Sequence, residues 1–212
     1  MKIIPLGRDC MITFILMHLK IKKLTTLFEY FFSPNFNSIC KCIEYIVHGN
    51  IIAKKIKIKQ KKKYNYIESD GIYLKSNDQN IPEIFSYHYK FPNGEKIIER
   101  RIKRFLTDIK NNSSILFLRL NNKEKIKIKK EDMEYFFSII KKINPNIKIH
   151  FLLIDTLDNK NEFEEIKFEN VFHKFILKKD ILESSVDPHY FIKNNEKLIK
   201  FIKENIEYIN NI

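Results

Sequence analysis

The sequence predicts an α/β fold, in which a mostly parallel sheet is flanked by helices. Short apolar runs bounded by polar turn residues alternate with stretches in which apolar residues recur at helical spacing. Two of the runs, residues 115–118 and 151–154, are apolar at every position, which is typical of central strands in a parallel sheet. With 212 residues, the chain is long enough to form one such domain with a sizeable core.

The first predicted elements are separated by a glycine. Residues 2–6 form a short strand, which Gly7 ends. Apolar residues at helical spacing then predict a helix over residues 10–20 and, after a turn, a second helix over residues 37–47. The first helix therefore opens directly after the first strand.

Residues 51–92 show a different pattern. Apolar and polar residues alternate with period two in residues 56–59, and aromatic residues do so in residues 85–91. Gly71 interrupts the stretch between them. This pattern is typical of short strands or extended edges. We expect an irregular inserted segment, or a lid on the main sheet, within a single domain of residues 1–212.

The rest of the chain is regular. The predicted elements are a helix over residues 95–110, a strand over 114–120, a helix over 131–143, strands over 148–154 and 171–177, and a terminal helix from His189. Strand–helix–strand repeats with crossovers of this length favour parallel pairing of the strands.

The charge is strongly positive, with 39 Lys and Arg against 26 Asp and Glu. The excess is concentrated in two lysine tracts, residues 54–63 and 123–130, which contain no arginine. Nucleic-acid sites usually use arginine for bidentate contacts to phosphates and guanines, and stacking aromatics between the charges. We therefore interpret the tracts as solvated surface, while a basic nucleic-acid-associated factor stays open as a third functional hypothesis.

Several classes of site are excluded by composition. Four glycines leave little room for glycine-rich phosphate loops, and three cysteines do not make a disulfide framework. Cys40 and Cys42 lack a second pair at zinc spacing, so we expect no metal and no cofactor. The apolar stretch over residues 10–17 is far shorter than the roughly 20 residues of a membrane span. We expect a cytoplasmic protein without a membrane partner.

Ligands of open parallel sheets bind beyond the carboxyl ends of the strands. Polar residues are predicted at four such ends. They are Gly7, Arg8, Asp9 and Cys10 after the first strand, Arg119, Asn121 and Asn122 after the second, Asp155 and Thr156 after the third, and Asp180, Glu183, Ser184, Asp187 and His189 after the last.

Cys10 has the position of a nucleophile. It follows a strand and a glycine turn and opens a predicted helix, where unpaired amides and the helix dipole lower the pKa of a thiol. The alternative is a buried cysteine packed among Ile12, Phe14 and Leu16. His150 and His173 lie within apolar strands, and we expect both to be structural.

Five sequence blocks occur in a characteristic order. They are Leu6-Gly7-Arg8-Asp9-Cys10, Phe28-Glu29-Tyr30 with Ser33, residues 85–91 around His88, the basic stretch 100–105, and Leu116-Phe117-Leu118-Arg119. This order resembles the putative papain-like cysteine peptidase family of bacteria and large DNA viruses, over about residues 2–155. The resemblance implies that Cys10 matches the N-terminal cysteine of the family and that His88 matches its central histidine.

The chain departs from the family pattern at two blocks. Glu29 and Tyr30 stand where the family usually has Asp and Trp, and Tyr89 stands where an acidic residue follows the histidine. We therefore consider Asp155, at a predicted strand end, as the replacement carboxylate. The papain label also implies a helical half and an antiparallel β half, whereas the periodicity predicts a parallel α/β fold.

Together these features predict a cysteine-dependent hydrolase or acyl-transfer enzyme that acts on a peptide or a small acyl substrate. Cys10 is the predicted nucleophile, His88 the general base and acid, and Asp155 the residue that orients His88. Backbone amides of the turn after Gly7 are expected to stabilise the oxyanion. The residues expected to bind around them are Gly7, Arg8, Asp9, Glu29, Arg119 and His189.

Two further alternatives stay open. One is a non-catalytic α/β binding protein that uses the same cleft. The other places Asp187 and His189, at the start of the last helix, opposite Cys10. That layout is similar to esterases of the SGNH hydrolase type, with Cys10 in the serine position, although helix capping also explains Asp187.

Overall fold

A computed structural model describes residues 1–7, 11–21, 24–29, 36–48, 94–121, 127–181 and 188–212, and the backbone of strands at 31–32, 56–61, 64–69 and 85–86. In chain order the elements are β1 (Lys2–Pro5), α1 (Met11–His18), β2 (Phe31–Phe32), α2 (Phe36–Val47), β3 (Ile56–Lys61), β4 (Tyr64–Ser69), β5 (Phe85–Ser86), α3 (Gly94–Asn111), β6 (Ser114–Asn121), α4 (Lys130–Ile143), β7 (Lys148–Leu157), β8 (Val171–Leu177), α5 (Pro188–Lys193) and α6 (Glu196–Asn210).

The main sheet has four parallel strands in the order β1-β6-β7-β8. Its central strands β6 and β7 are the two continuous apolar runs of the sequence, and Phe117 of β6 lies opposite Phe151 of β7. Both strands are buried on both faces, as their composition predicts. The predicted α/β fold is confirmed, and the architecture differs from the one that a papain label implies.

Helices cover both faces of this sheet. On one face, α2, α3 and α4 pack against the side chains that β1, β6 and β7 direct to that face. Phe136 of α4 contacts Phe117 and Phe151 edge to face, with ring centroids 4.9 Å and 5.4 Å away. On the other face, α1, α5 and α6 cover the alternate side chains. The connection from β1 to β6 therefore has helices on both faces, whereas α4 connects β6 to β7 on the α2–α4 face.

The predicted insertion is more regular than expected. Strands β3, β4 and β5 pair with β2 in a second, antiparallel sheet of order β2-β5-β4-β3. The short strands expected between residues 51 and 92 are present at these positions, and the sheet also includes Phe31–Phe32. The period-two alternation had indicated strands, but it carries no information on which strands pair with which.

Two predicted boundaries also need correction. Strands β6 and β7 run on through Asn121 and Leu157, so Arg119, Asn121, Asp155 and Thr156, which were expected beyond the strands, lie inside the sheet. The terminal helix is interrupted at Asn195, whose buried amide donates to the backbone oxygen of Phe191 at 2.8 Å. Because the Asn195 side chain satisfies the carbonyl of the preceding turn, α5 ends before Asn195. Helix α6 begins at the next residue, Glu196.

The described part of the second lysine tract is surface, as predicted. Lys127, Lys129 and Lys130 are exposed, whereas Ile128 between them is buried and anchors the segment. The first tract and residues 123–126 lie outside the described side chains. Within the described residues, no helix has the length and hydropathy needed to cross a bilayer.

Candidate functional site

The path of the chain predicts a crevice at the carboxyl end of β1. The chain leaves β1 for α1 on one face, while it leaves the adjacent strand β6 for α4 on the opposite face. Adjacent strands whose connections diverge in this way leave a cleft outside their carboxyl ends, where ligands of α/β sheets bind. Gly7 lies buried at this point. Arg8, Asp9 and Cys10 lie outside the described residues, and Cys10 directly precedes Met11, the first residue of α1.

Arg119 holds the end of β1 in place. Its Nη1 donates to the backbone oxygen of Leu6 at 3.2 Å, and its guanidinium lies 5.6 Å from the centroid of the Phe36 ring. The side chain is fully buried. These contacts lie inside the protein, next to the segment that contains Cys10, and the ligand-binding role of Arg119 stays a prediction.

Glu29 lies on a turn that packs against the start of α1. Its side-chain Oε1 accepts a hydrogen bond from the backbone N–H of Thr26, which closes the turn. Its backbone oxygen accepts a hydrogen bond from Thr13 of α1, with the oxygens 3.5 Å apart. Glu29 is fully buried, so its side chain lies among the groups that support the crevice and not on the surface of the crevice.

The turn at residues 25–29 is also tied to the basic helix α3. Nη1 of Arg104 donates to the backbone oxygen of Thr25 at 2.6 Å, and Phe28 contacts Phe105 edge to face with ring centroids 5.5 Å apart. Four of the five blocks noted in the sequence therefore meet around the end of β1. Of the fifth block, the structure describes the backbone of β5, and His88 lies outside the described residues, so the place of His88 relative to Cys10 stays a prediction.

A second polar group lies farther along the same edge of the sheet. Asp155 of β7 accepts a hydrogen bond from Asn121 Nδ2 of β6 on its Oδ1 at 2.8 Å, and its Oδ2 lies 2.9 Å from His173 Nε2 of β8. The backbone N–H of Ile166 donates to His173 Nδ1 at 2.9 Å. Because Nδ1 accepts, the proton of the neutral ring is on Nε2 and is donated to Asp155.

This arrangement gives Asp155 two partners that the sequence reasoning did not assign. His173 was expected to be structural, and its burial and two fixed hydrogen bonds agree with that expectation. A signal was available, since Asp155 directly follows the predicted strand 148–154 and His173 lies in the next predicted strand, 171–177. The role of Asp155 in orienting His88 stays a prediction.

Asp155 and His173 lie at the bottom of a cleft of about 800 Å³. One wall is the chain that leads into α4, with Lys127 and Lys129, and the other is the crossover between β7 and β8, with Glu162 and Glu165. This cleft and the crevice at β1 both lie outside the carboxyl ends of the main sheet.

Of the other predicted site residues that the structure describes, Thr156 lines the Asp155 cleft, whereas Asp180 and His189 do not. His189 is exposed as the second residue of α5, and Ser184 and Asp187 before it are outside the described residues. Asp180 accepts a hydrogen bond from Lys197 at 2.7 Å, which holds the pKa of its carboxyl below the usual value. Thr156 is buried in β7.

The two described cysteines are core residues of α2. Cys40 and Cys42 are buried, and burial raises the pKa of both thiols, that of Cys42 to about 12. They are thus poor nucleophiles, as their predicted place along a helix implied. The described residues contain no group of three or more His, Cys, Asp or Glu side chains arranged to hold a metal ion.

A family model with the description "putative papain-like cysteine peptidase" matches residues 1–159 of the chain. The chain belongs to this family. The match confirms the resemblance read from the ordered blocks, and it covers the crevice at β1 together with β6 and β7. Residues beyond 159, which include β8, α5 and α6, lie outside the match. No curated protein and no solved structure matches the chain.

Proposed function

We propose that the chain is a cysteine-dependent hydrolase or acyl-transfer enzyme whose reaction takes place at the carboxyl end of β1. The observation that carries this proposal is that described residues of four family blocks lie together around the end of β1 and the start of α1. Arg119 bonds to Leu6 at the end of β1, Thr13 of α1 bonds to Glu29, and Arg104 bonds to Thr25. Fixed elements on both sides of a reactive side chain are what a positioned nucleophile requires.

In the proposed reaction, the thiolate of Cys10 attacks the carbonyl carbon of a peptide or small acyl substrate, and a carbon–sulfur bond forms. His88 takes the thiol proton and gives it to the leaving amine or alcohol as the bond to the carbonyl carbon breaks. Water, deprotonated by the same histidine, then displaces sulfur and releases a carboxylic acid. In acyl transfer, a second nucleophile takes the place of that water.

Two groups support the charged species of this reaction. Backbone N–H groups that follow Gly7 are placed by sequence at the start of α1, where unsatisfied amides stabilise a developing oxyanion. Asp155 is the carboxylate first considered for orienting His88, but Asn121 and His173 already use one acceptor position on each of its oxygens. We therefore assign proton transfer to His88 without requiring Asp155.

Trapping by an electrophilic peptide tests the proposal. A peptidyl vinyl sulfone should form one covalent adduct on the native protein, mapped by mass spectrometry to Cys10. Cys10→Ser should abolish the adduct, while the matched variants Cys40→Ser and Cys42→Ser, if folded, should retain it. If the folded protein forms no adduct, or forms it equally at buried cysteines, the chain is better explained as a non-catalytic binding protein that uses the same crevice.

A further inference from the structure

We infer that the cleft at the carboxyl ends of β6, β7 and β8 binds a guanidinium group, with the Asp155 carboxylate as its acceptor. The cleft has a volume of about 800 Å³, within the range of roughly 300–1,000 Å³ that is usual for ligand sites. About a fifth of the Asp155 side chain is exposed, so the carboxylate is held by the sheet and still accessible. The inference concerns binding alone and does not depend on Cys10 being a nucleophile.

The floor of the cleft carries a negative charge without a fixed counter-charge. His173 is neutral in this arrangement, because its Nδ1 accepts the N–H of Ile166, and Asn121 is neutral by nature. In the described residues, no Lys or Arg nitrogen forms an ion pair with Asp155. A partly buried carboxylate held by neutral donors attracts a cation more strongly than an exposed one, because the surrounding dielectric is lower.

The hydrogen-bond geometry of Asp155 favours a planar guanidinium over a compact cation such as an ammonium group. A carboxylate offers about four acceptor positions, and the strands on either side use one position on each oxygen. Among the described residues, no other donor bonds to either oxygen, and a planar guanidinium carries donors that can bind both oxygens of one carboxylate.

The lysines around the cleft do not cancel this attraction. Three of the five lining lysines are already paired with carboxylates. The pairs are Lys127–Glu164 at 3.4 Å, Lys130–Glu134 at 3.6 Å and Lys178–Asp158 at 2.6 Å. Glu162 and Glu165 also line the crossover wall and add negative charge there.

The net charge of the protein makes the inference testable. At a formal net charge of +13, the protein as a whole repels cations. Binding of a small cation therefore reports a local site. We propose titration of the native protein with N-acetylarginine amide, followed by the NMR resonances of the His173 ring, which contacts Asp155 directly. The uncharged isostere N-acetylcitrulline amide is the ligand control.

The arginine compound should shift the His173 resonances in a saturable manner, and the citrulline compound should not. Asp155→Asn should weaken binding about tenfold or more, since it removes the charge-assisted pair. Glu204→Gln is the charge-matched control, because this carboxylate is exposed on α6, its partner Lys200 does not line the cleft, and its removal should leave the affinity unchanged. Equal binding of both compounds, unmoved His173 resonances, or equal losses in the two variants would overturn the inference, and the ligand comparison needs no variant to fold.

The same variants separate this role from the orientation of His88. If Asp155 serves only as a ligand acceptor, His88→Ala leaves the affinity for N-acetylarginine amide unchanged, and Asp155→Asn leaves the pH dependence of Cys10 alkylation unchanged. If Asp155→Asn shifts that pH dependence and leaves arginine binding intact, the carboxylate orients the histidine and the guanidinium assignment is wrong.

Discussion

The guanidinium of Arg119 donates a hydrogen bond across the main sheet to the backbone oxygen of Leu6, 3.2 Å away and 113 residues earlier in the chain. Leu6 is the last residue before Gly7, so the bond fixes the end of β1 at the point from which the segment with Cys10 departs. A buried arginine is therefore part of the support of the proposed site, and its removal should affect both stability and thiol reactivity.

Replacement of Arg119 by lysine tests this support. Lysine keeps the charge but lacks the planar fork and the face that lies over Phe36, so we expect a loss of about 2–4 kcal/mol in the free energy of unfolding. Urea denaturation measures the loss. Arg100→Lys, at an exposed position of α3, is the matched control and should change stability by less than about 0.5 kcal/mol. Equal effects of the two substitutions would show that the bond to Leu6 contributes nothing.

The bond from Ile166 to His173 makes a separate prediction. In His173→Ala, the N–H of Ile166 and one oxygen of Asp155 lose their partner, which should lower the free energy of unfolding by about 2–4 kcal/mol. Hydrogen exchange of the Ile166 amide should become faster in the variant. Lys174→Ala, at the next and exposed position of β8, should leave that amide protected. An unchanged exchange rate in His173→Ala would contradict the hydrogen bond and the tautomer derived from it.

His150 should make the fold sensitive to acid. Its ring is buried against Phe172, and burial, together with the charge of Lys148, lowers its pKa from the usual 6.5. The unfolded chain then binds a proton before the folded one, so stability should fall as the pH drops below about 6.5.

Stability measured near pH 7.5 and pH 5.5 tests the role of His150. The loss on acidification should be smaller in His150→Phe by about 1 kcal/mol, because phenylalanine cannot take up a proton. His18→Gln, at the exposed end of α1, serves as the control and should lose as much stability as the unaltered protein. If His150→Phe shows the full loss, another group is responsible for the acid sensitivity.

The fold was largely predictable because the apolar residues of a buried strand are neighbours in the sequence. Residues 115–118 and 151–154 identify themselves as central strands by composition alone, and the helix that connects them follows from its spacing. Strand ends were harder to predict. The sequence predicts Asp155 as a loop residue. In the structure β7 continues through Asp155, which pairs with β8 and is bonded by the side chains of Asn121 and His173.

The surroundings of the proposed site were less predictable because they depend on contacts between distant parts of the chain. Glu29 and Arg119 were both expected to bind ligand, but the sequence did not indicate that they also hold a turn and a strand end in place. Nothing in the local sequence around Arg119 indicates that its partner is the backbone of Leu6. Order and spacing identified the family blocks, but their convergence on one crevice required the fold.

The most direct test of the account is the rate of Cys10 alkylation by iodoacetamide, mapped by mass spectrometry on the folded protein across about pH 5 to 9. We expect Cys10 to react near neutral pH much faster than Cys40 and Cys42, whose thiols are buried with raised pKa values. His88→Ala should slow the reaction at neutral pH, and His189→Ala should not. Equal or slower labelling of Cys10 than of the buried cysteines would remove it as the nucleophile, and slowing only in His189→Ala would replace His88 with the esterase-like layout.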